Sequence, residues 1–567
     1  MKNALVSEML VEIANRLELQ DVPFKPRAYR RAAETIGGLG EPIEDLVERG
    51  EHEGLPGIGK AISEKVAEIV ETGRLAYLDR LRAELPIDLP GLTRVEGLGP
   101  KTAKLLYDAL GVKSLDDLAT AAAEGRIAEV KGLGLKTQAK LLKGIEEARR
   151  LQTRVLLGDA MEMAEDLIAQ LEETGLFDRL RFAGSLRRGR ETIGDLDLLG
   201  TAVDSKQAME AFRELGEVAD VLVSGETKTS VRLSSGMQVD LRIVPEPSYG
   251  AALQYFTGSQ AHNVALRKRA VSRGWKLNEY ALSDAEGTIL ASADEPEIYE
   301  ALELAFIPPE LREDAGELVA AEHNELPKLV EAADIRCDLH VHTDWSDGRA
   351  SLETMVVAAQ RRGLDAIAIT DHALFAEVIR GLTPDNLCRQ MDEIARLNQT
   401  LEGFRVFTGI EANTQPDGSL DVDDRLLAKL DVVIASVHSH FRQSRDQATE
   451  RFLRVLENPH VDILGHPTTR KIGIRSAMDV DWDAVFETAA RNGVALEVNA
   501  NPIRLDLNAD HIRRAVSAGC RLAINTDAHC PEHFDLLRYG VLTARRGWAT
   551  VESIVNTRAD SRKDSRG

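Results

Sequence analysis

The chain is poor in the features that would place it outside a reducing compartment or in a membrane. Its four cysteines (Cys337, Cys388, Cys520 and Cys530) are scattered and show neither disulfide nor zinc-ribbon spacing. No apolar run reaches the ~18 residues of a membrane span. The N-terminus reads as a Glu-rich amphipathic helix and not as a signal peptide. A cytoplasmic protein with no membrane partner is expected. Positive charge is also scarce, with a net charge of −23. That balance excludes a uniformly basic surface, but it is uneven: −2 over residues 1–150, −14 over 151–330 and −7 over the remainder. Phosphate binding depends on local patches, so a nucleic-acid partner stays open for the N-terminal quarter. A length of 567 residues excludes a single core and implies two to four domains.

Residues 1–150 read as short helices with a weak internal repeat. Gly57-Ile58-Gly59-Lys60, Gly97-Leu98-Gly99-Pro100-Lys101 and Gly132-Leu133-Gly134-Leu135-Lys136 each set a Gly-x-Gly between helical stretches. Such a turn exposes N–H groups at a helix start, which can hold a phosphate without reading sequence. Gly57, Gly59, Lys60, Gly97, Gly99, Lys101, Gly132 and Gly134 are therefore candidate DNA contacts, and the repeat resembles helix-hairpin-helix motifs. Residues 151–245 read as α/β, with a helix near 158–174 followed by five strands. Residues 246–325 mix helix and strand. From about 335, apolar strands such as Ala366-Ile367-Ala368-Ile369 and Val432-Val433-Ile434-Ala435 alternate with amphipathic helices, the pattern of a βα barrel. Residues 318–336 read as a linker, and 556–567 as a disordered polar tail.

The densest chemistry starts at Gly184-Ser185-Leu186-Arg187-Arg188-Gly189, followed by Gly194-Asp195-Leu196-Asp197. On a strand, Asp195 and Asp197 share a face, and two such charges repel unless a cation sits between them. The Gly184-Ser185 turn can offer N–H and hydroxyl groups to a phosphate. Asp240 lies inside the apolar run Gln238-Val239-Asp240-Leu241-Arg242-Ile243-Val244, a costly position without a compensating partner. Three carboxylates beside a phosphate cradle suit a two-metal site using Mg²⁺ or Mn²⁺.

With Tyr255-Phe256-Thr257-Gly258-Ser259, Asn263 and Arg267, this constellation resembles the family X DNA polymerases over roughly residues 10–325. The resemblance implies that Asp195, Asp197 and Asp240 are catalytic, with Asp240 nearest the primer hydroxyl. It implies that Gly184, Ser185 and Arg188 bind the triphosphate of a dNTP. Tyr255, Phe256, Gly258 and Ser259 then line the nucleotide pocket, Asn263 contacts the incoming base, and Arg267 faces the template. Gln260 departs from the vertebrate enzyme of the family, which has an acidic residue there. Residues 15–81 resemble the lyase domain of DNA polymerase beta and its relatives, through Arg27-Ala28-Tyr29-Arg30-Arg31 and Leu55-Pro56-Gly57-Ile58-Gly59 to Thr72-Gly73. There the match sets Lys65 at the Schiff-base position, a role that needs a lowered pKa.

Ten of the 13 histidines lie after residue 335, in clusters at expected strand ends. Ligands at successive strand ends converge on one mouth of a barrel. The series resembles the polymerase and histidinol phosphatase (PHP) domain, whose nine metal ligands map onto His340, His342, Asp347, His372, Glu411, His438, His466, Asp527 and His529. Mixed imidazole and carboxylate ligation suits Mn²⁺, Zn²⁺ or Fe²⁺ and implies water-driven phosphoester cleavage, as in a 3′–5′ exonuclease. His440 is an extra histidine beside this set, and Arg470 is a candidate phosphate contact.

The chain is thus expected to be multidomain. A helical lyase-like region (1–85) and a second helix-hairpin-helix region (86–150) precede an α+β nucleotidyltransferase palm (151–245) and thumb (246–325). A PHP-like distorted βα barrel (335–555) follows. The expected function is gap-filling repair synthesis with 3′–5′ exonuclease and possible abasic-site lyase activity, on gapped or nicked DNA, by a monomer. Two alternatives are a template-independent nucleotidyltransferase and a DNA-end-binding scaffold. The intact Asp set opposes the scaffold, and Asn263 and Arg267 oppose template independence.

Overall fold

The computed structural model describes all residues except 1–2, 21, 38–42, 56, 94, 96, 153, 374–380 and 559–567. It divides into two units: residues 1–152 with 473–476, and residues 153–472 with 477–567.

The first unit is helical. Helices Asn3–Leu19, Lys25–Gly37, Lys60–Thr72 and Ala76–Glu84 close over a core that includes Leu10, Ile13, Ile36, Val66, Ile69 and Leu78. A second core forms around Leu92, Leu106, Leu118 and Ile127. Arg16 joins the two regions. Its buried guanidinium donates to Leu85 O at 2.8 Å and Ile87 O at 2.9 Å, and it pairs with buried Glu12 at 2.7 Å. Gly57, Gly97 and Gly132 have φ of 80°, 84° and 93°, the left-handed region that favours glycine. Each Gly-x-Gly is followed by a helix: Lys60–Thr72, Pro100–Leu110 and Leu135–Gln152. Gly59 and Gly99 cap the first two without a side-chain bond, so side chains leave the first-turn N–H groups to a ligand or water.

In the second unit, a five-stranded sheet runs in the order Arg179–Phe182, Asp195–Thr201, Gln238–Ile243, Lys228–Leu233, Val218–Ser224. Only the central pair is parallel. Helices Leu157–Glu173 and Ser205–Arg213 cover one face through Leu167, Leu171, Met209 and Phe212. Helices Tyr249–Thr257 and Gln260–Ser272 follow, then a three-stranded antiparallel sheet and helix Glu295–Ala301.

The C-terminal part holds seven parallel strands in sequence order, from Cys337–Val341 to Leu522–Asn525, and a parallel bridge from Val341 to Ala528 ties the last to the first. Every residue of six of these strands is buried, including Cys337–Val341 and Val432–Ser436, which explains why they are mostly apolar. The result is a nearly closed, distorted βα barrel.

Two expectations are corrected. Residues 318–336 are not a free linker. Glu317–Glu322 is a helix, Leu329 and Val330 are buried, and Val330 N donates to Ala549 O at 3.1 Å. The tail does not begin at 556: the Asn556 amide is fully buried and bonds Cys337 O at 2.9 Å, knitting the chain end under the barrel. Residues 559–567 of that expected tail lie outside the described residues.

Candidate active sites

The palm site is built by register. Asp197 pairs directly with Asp240 on the parallel neighbouring strand, and Asp195 with Gln238, so the three carboxylates gather at one end of the sheet. Gly184 closes over them with φ 59°. A Cβ there would lie 2.3 Å from Asp197 Oδ2, so only glycine fits. Burial, then Asp195 and Asp240, push the Asp197 carboxyl up to about 7. Crowded acids of this kind call for a cation. Lys228 supplies one at Asp240, with Nζ 2.7 Å from Oδ2, and Gln238 Nε2 donates to Oδ1 at 3.0 Å. Lys228 and Gln238 are residues that the sequence reading missed. An alternating strand beside an acid was the available signal.

Several of the residues expected to bind the nucleotide are engaged by protein. Arg188 donates from Nε to Glu313 at 3.2 Å and from Nη1 to Thr257 O. Ser259 caps helix Gln260–Ser272 by accepting from His262 N at 3.3 Å. The Asn263 amide donates to Tyr255 O at 2.7 Å and accepts from Gln254 at 2.8 Å, and Arg267 Nε reaches Asn263 O at 3.3 Å. Half-buried Tyr255 and Phe256 pack edge-on at 5.1 Å, with the Arg242 guanidinium 4.3 Å from the Phe256 ring. Ser185 is half-buried in the short turn Gly184–Arg187. In the helical unit, half-buried Lys65 donates from Nζ to Ala61 O at 2.8 Å and lies 5.3 Å from the Tyr77 ring centroid.

In the barrel, the loops and strand ends bring all nine expected ligands together. Ligand atoms approach within 4.8 Å in three groups: His342, Asp347, His372 and His529; His340, His342 and Asp527; and His372, Glu411 and His438. His466 Nε2 joins through Glu411 at 3.1 Å. The buried His340 Nε2 and both ring nitrogens of His342 have no hydrogen-bond partner, which fits a metal-binding role. Among the described residues, no such group includes the palm aspartates.

Glu497, which the sequence reading missed, orients this centre. It is fully buried, takes His340 Nδ1 at 2.7 Å and His466 N at 2.7 Å, and so turns His340 Nε2 toward the cluster. A lone carboxylate in the apolar strand Ala495–Asn499 was its sequence signal, the same one that exposed Asp240. Asn413 similarly holds His438 Nδ1 at 2.6 Å. His440 is exposed beside Ser439. Arg470 is engaged by protein, not left open for phosphate: it forks onto Glu191 at 2.7 and 3.1 Å.

Comparison with known proteins covers both sites. Residues 252–313 match the DNA polymerase beta thumb, 1–75 a helix-hairpin-helix domain, 89–147 a SAM-like helix-hairpin-helix tandem and 338–501 the PHP domain. The chain is 38% identical to the DNA polymerase/3′-5′ exonuclease PolX of Bacillus subtilis over 98% of its length and 97% of the relative. It is 28% identical to rat DNA polymerase lambda over 55% of this chain and 56% of that one. It is 29% identical to a probable phosphatase of Syntrophotalea carbinolica over 41% of this chain and 95% of that one. Likeness along almost the whole length, through helical, palm, thumb and barrel regions alike, places this chain in the PolX family of DNA polymerases with a C-terminal PHP domain.

Proposed function

We propose that the chain is a DNA-directed DNA polymerase for gap-filling, base-excision-type repair, with a 3′–5′ exonuclease in its PHP domain. The observation that carries this is the pair of acid-rich centres on one PolX-like chain: the in-register aspartates under Gly184, and the nine-ligand cluster of the barrel.

In the palm, Asp195, Asp197 and Asp240 would hold Mg²⁺ or Mn²⁺, which supplies Lewis-acid activation of the primer hydroxyl and neutralises the triphosphate. Asp240, held by Lys228 and Gln238, is our candidate for accepting the hydroxyl proton. Ser185 and Arg188 hold the triphosphate of a dNTP, with Gly184, Gly258 and Ser259 shaping the backbone around it. Tyr255 and Phe256 exclude a 2′-hydroxyl, Asn263 meets the incoming base, and Arg267 the template strand. For Asn263 to do so, its amide must leave Gln254 or Tyr255, which makes thumb closure part of nucleotide selection. In the barrel, the nine ligands would hold Mn²⁺, Zn²⁺ or Fe²⁺, which activates water for attack on a 3′-terminal phosphodiester. Glu497 and Asn413 fix the imidazoles that bind there.

The Gly-x-Gly turns, with Lys60 and Lys101, grip the backbone of gapped or nicked DNA through helix-start N–H groups. Lys65 is the candidate 5′-deoxyribose-phosphate lyase nucleophile. Arg80 shares the Tyr77 ring with it, so a second cation stands near the ammonium. Among the described residues, no helix is long and apolar enough to cross a membrane. A cytoplasmic monomer completes the reading.

The test is separation of function on a one-nucleotide gap. Asp197→Ala abolishes templated synthesis and spares exonuclease, and His340→Ala does the reverse. Loss of both activities in either variant overturns the two-site assignment. Synthesis without template favours the nucleotidyltransferase alternative.

A further inference from the structure

The turn that carries Ser185 and Arg188 is held from outside the palm, by two arginines of the PHP part. Helix Leu537–Arg546 ends on this turn. There the part-buried Arg546 Nη1 donates to the Arg188 carbonyl at 2.6 Å and to Glu313 Oε1 at 3.2 Å. Glu313 also takes Arg188 Nε at 3.2 Å and stands 3.5 Å from Arg190 Nη1, so three guanidinium groups converge on one carboxylate. A Cβ at Gly189 would lie 3.4 Å from Leu542 Cβ and 3.6 Å from Arg546 Cδ. From the other side, Arg470 grips Glu191 bidentately while its Nε is fixed on Arg504 O at 2.8 Å. Arg470 lies only four residues beyond His466 of the metal cluster.

A turn of a few residues has little rigidity of its own, and a phosphate contact misplaced by about 1 Å can cost about 100-fold. The backbone carbonyl of this turn and the acid that follows it are tied to the PHP part, and the Arg188 side chain is tied to Glu313, which Arg546 also holds. We propose that Arg546 and Arg470 are positioning residues for the nucleotide-binding turn, so that the PHP domain completes the dNTP site of the palm. This rests on the reading that Ser185 and Arg188 bind the triphosphate.

The experiment is steady-state filling of a one-nucleotide gap by the full chain, separating kcat from KM for the dNTP. Arg546→Ala is expected to raise KM at least about 10-fold with kcat within about 3-fold, and Arg546→Lys to fall between, because one ammonium does not span both acceptors. Arg470→Glu and Glu191→Arg are each expected to raise KM, and the double exchange to restore it to within about 3-fold. Arg538→Ala serves as the structural control. It breaks the Arg538–Glu165 pair, which also joins the PHP part to the palm but away from the turn, and is expected to leave KM unchanged. Unchanged KM in Arg546→Ala and Arg470→Glu, or an equal rise in Arg538→Ala, overturns the proposal. Should Arg546→Ala fail to fold, the Arg470–Glu191 exchange decides. Arg188→Ala separates the two levels: if it leaves KM unchanged, the triphosphate reading itself falls. If it raises KM while the PHP variants do not, only the positioning role falls.

Discussion

Gly184 has no room for a methyl group, since a Cβ would meet Asp197 Oδ2 at 2.3 Å on a backbone with φ 59°. Gly184→Ala is expected to displace Asp197 and reduce gap filling by about 100-fold, leaving exonuclease activity at the wild-type rate when both are assayed on the same preparation. Glu497 acts similarly in the barrel. Glu497→Gln removes the carboxylate that turns His340 and is expected to weaken metal affinity about 10–100-fold, read by metal titration of the full chain. A third prediction concerns pH. Burial against Trp482 and Phe486, then Arg514 and Arg470, bring His511 down to about 4. The unfolded chain therefore binds one proton more between the unfolded value of about 6.5 and that folded value. Stability should fall as pH drops through this window, by at most about 3 kcal/mol. His511→Gln should flatten the dependence in denaturant titrations at pH 7 and pH 4.5. Asp240 stood out in the sequence because a carboxylate in an apolar strand is costly without a purpose, and Asp195 and Asp197 by their like charges on one strand face, whereas the nine candidate barrel ligands came from the resemblance to the PHP domain. Lys228, Glu313 and Arg546 did not stand out, because a basic or acidic residue at a helix end or strand edge is ordinary until its partner is known.

At the level of elements, helix Asn3–Leu19 owes its place to one buried ion pair as much as to its apolar stripe. Arg16 satisfies two carbonyls of the segment that follows helix Ala76–Glu84, and Glu12 is held by both Arg16 and Arg82. Arg16→Ala leaves Glu12 and two carbonyls short of a donor, and is expected to cost the helical unit about 3–5 kcal/mol. Hydrogen exchange of the full chain should show amide protection lost across helices Asn3–Leu19 and Ala76–Glu84 while the barrel strands keep theirs. The five palm strands and the βα alternation were legible in advance, since alternating and continuous apolar runs report half-buried and fully buried strands. The linker at 318–336 was misread. Polar residues around Pro327 mask Leu329 and Val330, whose burial depends on strand-like contacts with Ala549 and Thr550, more than 200 residues away.

On the scale of the whole molecule, palm and barrel share a core. Leu505 and Tyr539 of the PHP part are buried in the palm's apolar cluster, and a Cβ at Gly158 would press on Pro502 at 2.7 Å. Palm and barrel are therefore expected to melt in one calorimetric transition. Chelation of metal from the barrel should lower that shared transition. Two independent transitions for palm and barrel would contradict the shared core.

The sequence alone determined most element types, the glycine turns, the two sets of candidate metal-binding side chains and the family resemblance. All of these are written in residue type and short spacing, which local sterics and solvation translate directly into structure. The tertiary structure decided which charges neutralise one another. Arg470 meets Glu191, three arginines converge on Glu313, and the PHP helix ends on the palm's nucleotide turn. Such pairings join residues up to 358 positions apart. Their energy depends on distance and desolvation after folding, and no local pattern in the chain encodes either.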